Sequence, residues 1–115
     1  MINSRQKGKR GERMWRDELR AQGFTARRGQ QYAGGTDSPD VICEELAFIH
    51  FECKFTQAIN LEKVMREQAT KDAGDKKMPV IAHKKNNSNW LVTLRSEDFF
   101  ELIRNCDLDH FKKQI

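Results

Sequence analysis

The chain has 115 residues, of which 33% are charged and 37% hydrophobic, and it carries a net charge of +4. That length suits one domain with one modest core and is too short for two. No run of about 18 apolar residues occurs, which argues against a transmembrane helix, and the start MINSRQKGKRGERMW lacks the apolar stretch of a secretory signal.

The charge is unevenly spread. Residues 1–28 hold nine Lys/Arg against three acids, a local balance of +6, while the other 87 residues hold twelve against fourteen, a balance of −2. A basic N-terminal segment points to a polyanion, with nucleic acid first among the candidates. The three cysteines, Cys43, Cys53 and Cys106, are odd in number and have no metal-type spacing. They read as reduced core residues of a cytoplasmic protein, not as a disulfide framework.

In chain order, the segment from Lys9 to Gln22 reads as a helix stopped by Gly23. Its apolar positions are Met14, Trp15 and Leu19, and Glu12 falls on the same stripe, three residues before Trp15 and seven before Leu19. An acid in line with a buried stripe is unusual. The glycines of KGKRG weaken a helix, so residues 1–8 are expected to be flexible until they meet DNA. FTARR is a short strand, and GQQYAGGTDS a flexible loop. Two strands follow, Asp40–Cys43 and Leu46–Phe55, joined as a hairpin at Glu44-Glu45. NLEKVMREQATKDAG is a helix with Asn60 as N-cap and Gly74 as its stop, and Leu61, Val64, Met65 and Gln68 share one face. PVIAHK and WLVTL are strands around the turn NNSN. Ser96 is expected to cap a last helix whose apolar surface is Phe99, Phe100, Leu102 and Ile103, with Leu108 and Phe111 extending it. The order α-β-β-β-α-β-β-α predicts an α/β fold with a mixed central sheet.

The strand Leu46–Phe55 carries the chemistry. Alternation places Ala47, Ile49, Phe51, Cys53 and Phe55 on an apolar core face, and Leu46, Phe48, His50, Glu52 and Lys54 on a face that turns charged along its length. Glu52 and Lys54 then project together, roughly 7 Å apart at their backbones. By itself this is an edge ion pair. Asp40, however, opens the neighbouring hairpin strand and can approach Glu52. Two converging carboxylates repel unless a cation lies between them, and hard oxygen ligands of this kind suit Mg²⁺ or Mn²⁺. A lysine beside such a cation can orient a water and offset charge on a phosphate. Glu12 could add a third carboxylate. His50 reads as a partly buried strand histidine, His83 and His110 have no partner pattern, and Trp15 and Trp90 read as core or dimer contacts.

SPDVI followed by FECKF resembles the signature of the PD-(D/E)xK nuclease superfamily, and the element order is similar to its restriction-endonuclease-like core. More narrowly, KGKRGER with its helix acid, GFTARR, PDVI, ECK and the helix motif REQA together resemble the archaeal-type Holliday-junction resolvases, over about Gly8 to Leu94. The resemblance implies Asp40 and Glu52 as metal ligands, with the Cys53 backbone carbonyl as a further ligand. It makes Lys54 the catalytic lysine and Glu12 the helix acid that completes the metal site, directly or through water. Gln68 would support the site from the side. Resolvases of this type usually carry a serine in the loop before the PD strand. Here Ser38 adjoins Pro39, and no residue is assigned to that role.

The resulting expectation is a Mg²⁺-dependent DNA endonuclease, with Mn²⁺ as substitute, acting on branched DNA such as a four-way junction. Lys7, Lys9, Arg10, Arg13, Arg27, Arg28, Lys84 and Lys85 are the candidate DNA contacts, with one of Arg27 and Arg28 facing the cleft. Two symmetric cuts favour a homodimer. The alternatives are a related nuclease acting on linear, flapped or nonspecific duplex DNA, and a DNA-binding module without catalysis.

Overall fold

The computed structural model describes residues 4–29 and 40–113, with side chains described from Gly8 onward. The loop expected before the PD strand, with Ser38 and Pro39, lies outside the described residues apart from Gly29. The elements are α1 (Ser4–Ala21), β1 (Ala26–Arg28), β2 (Val41–Cys43), β3 (Ile49–Phe55), α2 (Leu61–Val64), α3 (Thr70–Ala73), β4 (Met78–Lys84), β5 (Leu91–Leu94), α4 (Ser96–Arg104) and α5 (Leu108–Lys112). A π-helical turn, Met65–Ala69, joins α2 to α3.

The five strands lie side by side in chain order, β1-β2-β3-β4-β5. All neighbours are antiparallel except β3 and β4, which run parallel. A parallel pair cannot be closed by a tight turn, and the helical run 61–73 supplies the crossover. The fold is therefore a mixed α/β sheet flanked by helices, consistent with a restriction-endonuclease-like core. No helix among the described residues is long and apolar enough to cross a membrane.

Each face of β3 has its own cover. Phe51 and Cys53 pack with Trp15 and Leu19 of α1, together with Val41, Cys43, Val80 and Ala82. Trp15 meets Phe51 edge-on with ring centroids 5.5 Å apart, and Trp90 leans on it at 5.1 Å. Ile81 of β4 belongs to a second cluster, with Val64 and Ala69 of the crossover helix. Ile81 pairs with Glu52 in the parallel register, so the even-numbered side of β3 lies under residues 61–73.

Several boundaries differ from expectation. α1 starts at Ser4, ahead of Lys9, and runs through both glycines. Gly11 has a packing reason to be glycine, because a Cβ there would lie 2.8 Å from the Phe55 Cβ. β3 begins at Ile49 and not at Leu46, because Glu44–Leu46 form a 3₁₀ turn. Glu45 fixes that turn by accepting from the Thr25 backbone N–H at 2.8 Å and from its hydroxyl at 2.9 Å. Ala47 and Phe48 are accordingly exposed turn residues and not strand positions.

Asn60 caps the crossover helix through the Lys63 N–H, and Gly74 ends it at φ +66°. Inside that helix the π turn inserts one residue into the repeat. The inward positions therefore pass from Val64 to Ala69 and Ala73, and Gln68 moves from the stripe to a half-buried margin. Ser96 is the first residue of α4 and caps nothing; Arg95 occupies the cap position and binds Asp98 at 2.9 Å. Phe99, Phe100 and Leu102 are exposed, not core. α5 is a separate short helix capped by Asp107. All three cysteines are free, but only Cys43 and Cys53 are buried; Cys106 is exposed at the end of α4.

Candidate active site

The register of the β2–β3 hairpin brings the separated acids together. Val41 pairs with Phe51, and the pairing continues one residue earlier, where the Asp40 N–H donates to the Phe51 carbonyl at 3.0 Å. The Asp40 carboxylate Oδ2 then accepts the Cys53 N–H at 2.8 Å. This hydrogen bond turns Asp40 back along β3, where its carboxyl also hydrogen-bonds that of Glu52.

Glu52 is 7% exposed. Burial, and next to it the charge and hydrogen bond of Asp40, raise its carboxyl to about 8, while Lys54 pulls it down. Two carboxyl groups this close cannot both ionise cheaply in a desolvated site. They share a proton, or they share a cation. The donors are carboxylate oxygens beside the strand backbone at Cys53, a hard set that fits Mg²⁺ or Mn²⁺. A divalent cation there would replace the shared proton, so the residues fit such an ion.

Glu12 reaches this centre from α1 and is 8% exposed. Burial raises its carboxyl first, and the charge of Asp40 second; Arg28 and Lys9 oppose the shift. Arg28 Nε and Nη2 both donate to Glu12 Oε1 at 3.2 Å. Glu12 thus lies within electrostatic reach of Asp40 while held by Arg28. Arg27, on the other side of β1, is exposed and faces Glu44 at 3.7 Å. The alternation expected for this pair is observed, and the inward member answers the helix acid. Sequence reasoning had no signal for that pairing beyond the parity of Arg28.

Lys54 is half-buried on the same side of β3 as Glu52. At the end of the strand, Phe55 gathers cations: Arg10 lies 5.5 Å and Lys84 5.9 Å from its ring centroid. Residues from α1 and from β4 therefore meet over the Phe55 ring. Lys9, Arg13 and Lys85 are exposed, whereas the side chain of Lys7 lies outside the described residues. The Cys53 thiol is pushed well up by burial and then by the surrounding carboxylates, so it stays protonated and inert. His83 is a structural histidine bonded through Nε2 to Thr93 Oγ1 at 2.9 Å. His50 is far more buried than expected, at 1%, because the crossover helix covers it. Asp72, four residues after Gln68 on that helix, faces the same region and was not singled out from the sequence. A second polar residue at helical spacing from Gln68 was the available signal.

Comparison with protein families matches residues 3–114 to the family described as "Phage putative PDDEXK endonuclease". The chain belongs to this family. Comparisons with curated proteins and with solved structures return no match. PDDEXK nucleases use divalent metals, in keeping with the hydrogen-bonded Asp40 and Glu52 pair.

Proposed function

We propose that the chain is a Mg²⁺-dependent DNA endonuclease that hydrolyses phosphodiester bonds, selective for branched DNA such as a four-way junction. The observation that supports the hydrolytic reading is the meeting of Asp40, Glu52 and Lys54 at one end of β3, with Glu12 in electrostatic reach. Asp40 and Glu52 would hold the cation, with the Cys53 carbonyl as a backbone ligand and Glu12 acting directly or through water. The bound cation supplies positive charge to the phosphate and makes a nearby water more acidic.

The chain's own residues supply the rest. Lys54 is placed to orient the attacking water and to offset the charge that grows on the phosphate oxygens. Phe51, Cys53 and Phe55 anchor β3 in the core, which holds Glu52 and Lys54 in fixed directions. Gln68, at the helix margin, supports the site from the side. Arg10 and Lys84 beside Phe55, with Lys9, Arg13, Arg27 and Lys85, would contact the DNA backbone without reading sequence. Arg28 serves this surface indirectly, by holding Glu12. Junction selectivity rests on the resemblance of KGKRGER, PDVI, ECK and REQA to resolvases. Paired cuts across a junction favour a twofold dimer, for which the exposed Phe99, Phe100 and Leu102 offer apolar surface.

The test is a panel of labelled substrates incubated with Mg²⁺: a synthetic four-way junction, a flap and linear duplex. Preferential, symmetric nicking of the junction is expected, with loss of nicking in Asp40→Ala. Equal cleavage of junction and duplex would make the chain a less selective nuclease of the same family. No cleavage of any substrate would leave a DNA-binding module.

A further inference from the structure

His50 precedes Glu52 by two residues on the same side of β3 and is 1% exposed. Neither of its ring nitrogens has a hydrogen-bond partner. Buried polar atoms are nearly always paired, and each exception calls for an explanation such as an ion or a water. An imidazole cannot leave both nitrogens orphaned without a cost that Leu or Phe at the same position would avoid. Its neighbours indicate what it answers to. A ring nitrogen of His50 and carboxylate oxygens of Glu52 and Asp72 lie within 4.8 Å of one another. Ligands bonded at about 2.1 Å to one ion sit about 3.0 Å apart when adjacent and about 4.2 Å apart when opposite. The three atoms therefore need only small side-chain shifts to close on one cation.

We propose that His50, Glu52 and Asp72 form a second cation site, for a first-row transition dication such as Mn²⁺ or Zn²⁺. The donor set decides the class. Imidazole nitrogen is a good ligand for transition ions, whereas Mg²⁺ and Ca²⁺ prefer oxygen, and two carboxylates balance the charge of one dication. Asp72 is half-buried on the crossover helix, which leaves the site a side open to solvent. A carboxylate has two oxygens, so Glu52 can face Asp40 with one and this site with the other. The proposal shares Glu52 with the nuclease centre but rests on the His50 geometry, not on the nuclease reading.

The test uses the full chain, stripped of metal and titrated with Mn²⁺, followed by electron paramagnetic resonance with detection of nitrogen-14 coupling. Wild type is expected to show coupling to one imidazole. The coupling should persist in Asp40→Asn, which leaves all three proposed ligands in place, and vanish in His50→Gln. Asp72→Asn, a near-isosteric change at a half-buried position, should weaken binding at this site at least about tenfold, the loss brought by removing even an outer-shell metal partner. It decides the matter if His50→Gln fails to fold. Absence of nitrogen coupling in wild type, or Asp72→Asn binding Mn²⁺ as tightly as wild type, would overturn the proposal. A chain that shows the coupling yet cuts no DNA would overturn the nuclease reading and bear this one out.

Discussion

The two faces of β3 are both buried, yet they are built on opposite terms. On one, Phe51 and Cys53 pack against Trp15 and Leu19, where the Trp15 indole nitrogen is the buried polar atom left without a partner among the described residues. On the other, His50 and Glu52 lie under the crossover helix at 1% and 7% exposure. The apolar face gains stability from removing hydrocarbon from water. The polar face gives stability up, because Glu52 desolvates a carboxyl beside that of Asp40 and His50 keeps two unpaired nitrogens. The comparison shows where this small fold stores unfavourable energy. The rigid, apolar side of the strand holds in place a polar side that would otherwise be rearranged or solvated.

Substitutions on the two faces should therefore separate activity from stability. The largest effect is expected for Lys54→Ala, which should lower DNA cleavage at least about 10²-fold, the scale for removing one group that stabilises developing charge. Its melting temperature should stay near that of wild type. A cleavage loss matched by unfolding would erase the distinction between the faces. Trp15→Ala on the apolar side should do the reverse, costing about 3–5 kcal/mol of stability in a chemical-denaturation curve. Breaking the clamp on Glu12 with Arg28→Ala should cost about 1–3 kcal/mol, since a buried carboxyl loses its charged partner.

The pH response sharpens the same contrast. Glu52 is raised to about 8 in the folded chain, by burial first and by Asp40 next, from 4.5. Between those values the unfolded chain has lost a proton that the folded chain keeps, so rising pH favours the unfolded state. The metal-free protein should be most stable near or below pH 4.5 with respect to this group, lose that contribution as pH rises toward 8, and change little from it above. Melting curves across this range, compared with Asp40→Asn, should show a shallower decline in the variant. A smaller effect is expected at the strand end: Arg10→Ala or Lys84→Ala should each reduce the slope of log binding constant against log salt by about 0.9.

Much of this arrangement was legible in the sequence because it depends on period and spacing. The alternation of Phe51 to Phe55 gave the parity of β3, and the hairpin spacing brought Asp40 to Glu52. Glu12 stood out because it lay in line with Trp15 and Leu19. What the sequence did not reveal depends on three-dimensional cover. Nothing local shows that residues 61–73 would close over His50, and a regular helical repeat puts Gln68 inward where the π turn puts Ala69. The pairing of Arg28 with Glu12 joins two elements whose contact is set by how α1 crosses the sheet. The apolar residues of α4 looked like core because hydrophobicity alone does not distinguish a buried face from an exposed one.

The central claim is that the polar face of β3 is a cation-dependent nuclease centre. It is tested most directly by comparing wild type with the near-isosteric Glu52→Gln in nicking a labelled four-way junction, with and without Mg²⁺. The account predicts Mg²⁺-dependent nicking by wild type and its loss in a Glu52→Gln protein that remains folded by circular dichroism. Nicking that survives Glu52→Gln, or that proceeds equally in a chelator, would contradict it.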